Sequence, residues 1–295
     1  MAEPLFHRLV LIGIGHIGSS IARALKLAPG TVERLVISDT SPAHLKRAAE
    51  LELGDEYFAD PAEAVQGADG VILCTPVGSF AAISQAIAPH LAPGCILSDV
   101  GSTKQSVIRD IGPHVPQGVS FVPAHPLAGT EFSGPDAGLA DLFKGRWCLL
   151  TPPDGTDDDA VKKIEALWAA LGARTARMSA AHHDRVIAIV SHLPHLIAFT
   201  ICGTADDLAD ETREEVLQFA ASGFRDFTRI AASDPVMWRD IFVNNKDALL
   251  EMFQRFSEDA QSMARAVRWN DTGYIEDRIN RSRKIRKSLI DIKQA

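Results

Sequence analysis

Residues Arg8–Leu27 read RLVLIGIGHIGSSIARALKL, and this stretch decides the fold. A β-prone apolar run, Arg8–Ile12, passes without a linker into Gly13-Ile14-Gly15-His16-Ile17-Gly18, and an amphipathic helical pattern, Ile17–Leu27, begins inside the turn. A bare GxGxxG says little, but strand, turn and helix in succession give each glycine a task. The first permits the tight turn, the second lets backbone approach a pyrophosphate, and the third lets helix pack on strand while the helix N-terminus faces the anion. A second run, Arg34–Ser38, ends at Asp39, 21 residues beyond Gly18. A carboxylate there accepts hydrogen bonds from the adenosine ribose hydroxyls and repels a 2′-phosphate. No Arg or Lys occurs among Thr40–His44, so the site is read as one for NAD and not NADP.

The alternation continues outward from this unit. Apolar runs at Val71–Thr75, Cys95–Val100, Ser120–Pro123 and Trp147–Thr151 alternate with helical patterns at Pro42–Leu51, Phe80–His90 and Lys104–Ile111. Continuous apolar strands separated by helices imply a parallel sheet covered on both faces. After the acidic loop Pro152–Asp159 come a helix, Ala160–Leu171, and a short strand, Ala173–Met178. From Ala180 to Leu289 strand signals stop, and apolar residues recur at helical spacing with breaks near Asp207, Ser222 and Asp234. The expected architecture is α/β: an N-terminal Rossmann dinucleotide-binding domain over 1–178, then an all-helical domain over 179–295.

Composition narrows the classes. The 295 residues are 46 % hydrophobic and 23 % charged, which excludes disorder and collagen. A formal net charge of −8 provides no overall field for nucleic acid or an anionic membrane. The basic stretch Arg278–Lys287 reads as a solvated helix face. Cys74, Cys95, Cys148 and Cys202 lack any CxxC or zinc spacing and read as reduced core thiols. The apolar start is broken by glycines and has no convincing cleavage site, and no window of about 19 residues reads as a bilayer span. The expectation is a cytoplasmic protein without membrane or nucleic-acid partners.

Ligands in such sheets lie beyond the C-terminal strand ends. Three segments belong there: Cys74-Thr75-Pro76-Val77, Asp99–Lys104 and Ala124–Glu131. They bring Thr75, Pro76 and Ser102 to the expected nicotinamide end of the cofactor, opposite the turn residues Gly13, Gly15, His16, Ile17 and Gly18. Oxidising an alcohol needs a base for the hydroxyl proton, a task suited to neutral imidazole near pH 7, and His125 is the best-placed candidate. In the helical half, Ser191-His192-Leu193-Pro194-His195 sets Ser191 and His195 four apart on one face. His182, His183, His192 and His195 invite a metal reading, but no HExxH pattern and no completing carboxylate support it. Gly223–Arg229 carries Arg225 and Arg229 at i, i+4, and an arginine fork matches a carboxylate. Trp238 reads by default as a core or interface anchor.

Taken in order, GIGHIGSS, the DVGSTK segment, HPLAGTE, SHLPH and GFRDFTRIAASDPVMWRD resemble the prephenate/arogenate (cyclohexadienyl) dehydrogenase family of tyrosine biosynthesis over nearly the whole chain. The resemblance implies removal of hydride from C4 of a cyclohexadienol to NAD, with loss of the ring carboxylate as carbon dioxide. It implies His125 as the base on the C4 hydroxyl and Ser102 as the serine orienting that histidine and the substrate. Arg229 would grip a substrate carboxylate and His195 would line the pocket. Glu131 and Asp226 resemble an acidic pair shaping access. Trp238 would lie near the pocket, contributed in one arrangement by the partner of a homodimer formed through the helical domain. The length leaves no room for the appended regulatory domain or fused chorismate mutase of some relatives, so tyrosine, if it inhibits, is expected to compete at the active site. Another Rossmann-plus-helical oxidoreductase, such as a β-hydroxyacid dehydrogenase, and a non-catalytic NAD-binding protein are the alternatives.

Overall fold

Strand β1 (Phe6–Ile12) turns at Gly13 into helix α1 (His16–Leu27), and Gly13 holds φ at 100°, in the left-handed region that glycine tolerates. The computed structural model describes residues 3–130, 132–208 and 210–291. Five more strands join β1: β2 (Val32–Ser38), β3 (Glu56–Phe58), β4 (Gly70–Leu73), β5 (Ile96–Asp99) and β6 (Ser120–Val122). They form a six-stranded parallel sheet in the order β3-β2-β1-β4-β5-β6. Helices α2 (Pro42–Glu50), α3 (Pro61–Ala64), α4 (Phe80–Ile87) and α5 (Gln105–Ile111) lie between the strands in sequence. Leu9 and Leu11 of β1 enter one apolar cluster while Val10 and Ile12 enter another, so both faces of the sheet are covered. That double burial is why the strands read as unbroken apolar runs. The strand order reverses between β1 and β4, which places the ligand crevice at their carboxyl ends.

Several short elements escaped the sequence reading, among them β7 (Ala124–Pro126). Strand β3 has three half-buried residues and α3 has four, too short for either periodicity to register. A larger correction concerns the run expected at Trp147–Thr151. It forms β8 (Trp147–Leu150), which leaves the large sheet and joins a three-stranded one, antiparallel to β7 (Ala124–Pro126) and parallel to β9 (Arg174–Arg177). Pro123 is the pivot. It cannot donate to a ladder, so pairing stops after Val122 and the chain crosses to the second sheet, where the Pro123 carbonyl accepts the Thr151 N–H at 2.9 Å. Helix α6 (Asp158–Ala170) backs this region, and Trp168 meets Phe143 edge-on with centroids 5.2 Å apart.

Beyond Arg177 the described chain has no strands. Helix α7 (Ala180–Ile187), a π turn (Ala188–His192) and α8 (Leu193–Asp206) run on without a break. This 27-residue run is long and apolar enough, by length and composition alone, to cross a membrane, which corrects the expectation that no such segment exists. His192, Pro194 and His195 interrupt it in sequence, although isoleucines and leucines flank them on both sides. Then follow α9 (Asp210–Gln218), α10 (Ser222–Thr228), a 3₁₀ turn (Arg229–Ala232) and α11 (Pro235–Asn244). The chain divides into two compact units, Met1–Lys246 and Asp247–Ala295. The second contains α12 (Lys246–Arg268) beyond its first residue and α13 (Thr272–Asp291), linked through a left-handed Asn270 and by an Arg278–Asp259 ion pair. Of the cysteines, all four are free; Cys95 and Cys148 are buried, Cys74 and Cys202 half-buried.

Candidate active site

The glycine turn fits a dinucleotide for reasons the structure separates. A Cβ on Gly18 would run into the Gly13 carbonyl, and one on Gly13 would come within 2.8 Å of the Thr75 side chain, so both glycines serve internal packing. A Cβ on Gly15 would meet no protein atom within 4 Å. Its φ of −71° suits any residue, so the reason for glycine there is room for something outside the chain. Asp39 is fixed at the end of β2 by two backbone donors, Ile14 N–H to Oδ2 at 3.0 Å and Ser41 N–H to Oδ1 at 2.8 Å. This cradle, with a largely buried carboxylate at its ribose end, fits NAD. His16 donates Nδ1–H to the Ala137 carbonyl at 2.8 Å, and burial lowers its pKa. Ile17 follows it in the first turn of α1. The same segment is fastened to α1 and α2 by Arg23 on the Pro135 carbonyl, Leu139 N–H on Ser20 Oγ, and Arg47 on Asp136. Beyond β4, the Thr75 hydroxyl meets Ser79 Oγ at 2.7 Å, and the Pro76 carbonyl accepts from Ser79.

Next along the sheet edge a buried ion pair welds β5 to β7. Lys104 Nζ lies 2.5 Å from Asp99 Oδ2 and 2.7 Å from the Ala124 carbonyl, and both side chains are fully buried. Asp99 also accepts from Gly101 N–H at 2.6 Å and Ala124 N–H at 3.3 Å. Burial pushes the Asp99 carboxyl up and the Lys104 ammonium down, and their contact opposes both shifts. Removing one partner of such a pair strands a buried charge, at a cost of about 3–5 kcal/mol. The loop carrying Ser102 is thereby held one strand away from the start of β7. Ser102 itself is half-buried.

His125 sits in the middle of β7, opposite Leu149 of β8, and is 7 % exposed. Its Nδ1 lies 2.9 Å from Nε2 of His183 on α7, whose Nδ1 lies 2.8 Å from Asp184 Oδ1. Among the described residues it is His183, and not Ser102, that hydrogen-bonds His125. Burial, and then the neighbouring charges of His183, Lys104 and His192, hold the His125 pKa well below its ordinary value. A histidine so placed stays neutral and able to accept a proton. In sequence His183 stands out only as one of four clustered histidines, and nothing there picks out its neighbour Asp184.

The helical side supplies a second histidine. The π turn widens the helix between α7 and α8, a geometry often found at functional sites. His195 donates Nδ1–H to the Ser191 carbonyl at 2.9 Å, and stacks on Trp238. It is the Ser191 backbone, not its hydroxyl, that makes this contact. Trp238 belongs to α11 of the same chain, so no partner subunit is needed to bring it to His195; it also meets Phe242 and Phe199. His192 is buried, with Nδ1 3.0 Å from Asn245 Nδ2, and that amide also donates to the Asp184 carbonyl at 2.9 Å. Arg229 opens the 3₁₀ turn that packs on α8, close enough for its charge to help burial lower the His195 pKa. Asp226, near the end of α10, is exposed, as is Arg229. Glu131 lies outside the described residues.

Comparison with known proteins adds to this geometry. The family profile described as prephenate dehydrogenase, nucleotide-binding domain matches residues 21–177, and the prephenate dehydrogenase, dimerization domain matches residues 179–280. The chain is 40 % identical over 285 residues to the cyclohexadienyl dehydrogenase of Zymomonas mobilis, covering 97 % of each. It is 34 % identical to the prephenate dehydrogenase of Bacillus subtilis, over 89 % of this chain and 71 % of that one. It resembles the crystal structure of prephenate dehydrogenase from Aquifex aeolicus in complex with hydroxyphenyl propionate and NAD+, at 28 % identity and a TM-score of 0.89, covering 96 % of this chain and 98 % of that one.

Proposed function

The chain belongs to the prephenate dehydrogenase family, and we propose that it catalyses the NAD-dependent oxidative decarboxylation of prephenate, of arogenate, or of both, to 4-hydroxyphenylpyruvate and tyrosine. The observation that carries this reading is the placement of His125. A buried, neutral imidazole stands at the carboxyl edge of a dinucleotide-binding sheet, one strand beyond the welded Asp99–Lys104 loop. NAD, held by the turn Gly13–Gly18 and Asp39 with Thr75, Pro76 and Ser102 towards its nicotinamide, supplies the hydride acceptor.

The chain's own residues then divide the remaining work. His125 takes the C4 hydroxyl proton, and Ser102 helps to orient the substrate. Arg229 binds a substrate carboxylate through its fork. His195, with Nδ1 committed to the Ser191 carbonyl, offers Nε2 to the substrate as an acceptor, backed by Trp238. Asp226, exposed near the end of α10, shapes the entrance. Departure of the ring carboxylate as carbon dioxide leaves an aromatic ring, which makes the step thermodynamically one-way.

Residues 1–178 serve as the nucleotide-binding domain and 179–295 as the substrate and dimerisation domain of a homodimer. The match to a dimerization domain supports this, as do the exposed Ile189, Val190 and Ile201 on the apolar helical run. A second chain, and not a bilayer, is the cover this reading assigns to them. A cytoplasmic location accords with the free thiols and a water-soluble substrate. Tyrosine, which shares ring and side chain with the reaction's participants, would inhibit by competing at this same site. Tyrosine that lowered kcat without raising the KM for prephenate would remove that last point.

The deciding experiment is the initial rate of NADH formation with purified protein, NAD and prephenate, with arogenate in parallel. Turnover of either is the expected result, and the ratio of rates assigns the specificity. Folded protein that binds NAD and turns over neither would overturn the reading.

A further inference from the structure

Asp184 is committed as an acceptor on both oxygens. Oδ1 takes the Lys104 N–H at 2.7 Å and Oδ2 the Gln105 N–H at 2.9 Å, at the start of α5. Burial works to raise this carboxyl, but the bonds from His183 and the two backbone amides outweigh it and leave it below the ordinary range. An ionised carboxylate has no proton to give. The 2.8 Å contact with His183 therefore requires Nδ1 of His183 to be the donor.

The next step follows from the same donor inventory. A neutral imidazole carrying hydrogen on Nδ1 has a bare Nε2, which can only accept. His183 is fully buried, and burial lowers its pKa, so neutral is its resting form. The 2.9 Å contact to His125 then requires hydrogen on His125 Nδ1, which leaves His125 Nε2 bare. The groups facing His125 from the surrounding elements are His183 on α7, Lys104 before α5, His192 in the π turn and Cys148 on β8. Asp99 and Asp184 stand behind Lys104 and His183.

We infer that His183 and Asp184 are positioning residues that lock His125 in the tautomer with Nδ1 protonated and Nε2 free to accept the substrate's hydroxyl proton. The inference rests on the dehydrogenase reading for the identity of that hydroxyl, but the tautomer does not depend on it. Once Nε2 is protonated, the new imidazolium points its Nδ1–H at the lone pair of His183, which Asp184 polarises. The same carboxylate caps the start of α5, directly behind the loop of Ser102. One side chain thus sets both arms of the site, and Asn245, bonded to the Asp184 carbonyl and to His192, ties the π turn into the arrangement.

The test reads the tautomer directly, by nitrogen NMR of histidine-labelled protein at a pH where His125 is neutral. His125→Asn supplies the resonance assignment. In the unsubstituted protein His125 is expected to carry hydrogen on Nδ1, and a His125 protonated on Nε2 would overturn the inference whatever the enzyme's activity. In His183→Phe, which keeps a ring in the cavity without an acceptor, the lock should be lost. There kcat should fall by about 10²–10⁴-fold, the range a correctly protonated base contributes, while KM stays within about threefold. Asp184→Asn should act in the same direction by reversing the donor order along the chain. A folded His183→Phe protein with unimpaired kcat would also overturn the inference. Should that variant fail to fold, the resonance of the unsubstituted protein still decides. Lack of turnover with prephenate and arogenate, alongside the expected tautomer, would count against the substrate reading alone.

Discussion

The His195 imidazole lies flat on the Trp238 indole, with ring centroids 3.6 Å apart and planes 22° from parallel. The histidine is anchored below by the Ser191 carbonyl and pressed from one side by the indole, so its Nε2 has one direction in which to point. Trp238→Phe should keep much of this stack, whereas Trp238→Ala should free the ring. We expect the alanine variant to raise the KM for substrate by about three- to tenfold, with a smaller change in kcat. It should also lose about 3–5 kcal/mol of stability in urea denaturation. An unchanged KM in a folded alanine variant would show that His195 does not address the substrate.

The glycines of the first turn should separate folding from cofactor binding. Gly15→Ala adds a methyl group that meets no protein atom within 4 Å, so the Tm without NAD should hold within about 2 °C, yet the Kd for NAD should rise at least about tenfold. Gly18→Ala drives a methyl group into the Gly13 carbonyl and should lower Tm by about 2–10 °C. Thermal scans with and without NAD check both. Normal NAD affinity in Gly15→Ala would mean that the cradle is not where the pyrophosphate lies.

Asp39 should govern the choice between NAD and NADP. Its carboxylate is already oriented by Ile14 and Ser41, so a ribose can be met without rearrangement. Asp39→Ser should weaken NAD by about 1.5–3 kcal/mol, the worth of a charge-assisted hydrogen bond. The same change removes the repulsion of a 2′-phosphate, so NADP binding should improve. Fluorescence titration with both dinucleotides reads the two effects, and equal losses for both would count against this role.

Stability should fall on mild acidification. Burial pushes the His192 pKa down from 6.5 to about 4, so between those values the unfolded chain binds a proton that the folded chain refuses. Stability therefore rises with pH across that window, and is lost as pH falls through it, by on the order of 3 kcal/mol from His192 alone. His183 and His125, also held below their ordinary values, slope the same way. The urea midpoint should be lower at about pH 4.5 than at about pH 7. An unchanged midpoint would mean that these imidazoles take up protons without unfolding.

The N-terminal unit was legible because its instructions are local. Gly13 needs a positive φ, Gly15 and Gly18 need space, and Asp39 follows the end of an apolar strand; each is a statement about neighbouring residues. The second sheet was not legible, since Trp147–Leu150 has the composition of any buried strand and nothing in it names its partner. Pro123 was the one available signal, a residue without an N–H at the point where pairing had to stop. His125 could be found from its place after a strand, but its partner 58 residues away could not. His183 looks in sequence like one of four clustered histidines, and only the fold shows which of them turns towards β7. Buried Lys104 was invisible for the same reason, because a lysine near a turn is ordinarily solvated.

The run Ala180–Asp206 leaves most of its most apolar stretch uncovered in one chain, with 28 % of it buried. That run also carries His183, which holds Nδ1 of the proposed base His125, and His192 and His195, so the surroundings of the base rest on an element that a lone chain leaves largely uncovered. Mass action thereby enters the chemistry. If a second chain provides the missing cover, turnover per chain becomes a function of how many chains are present, and dilution acts as an inhibitor that occupies no site.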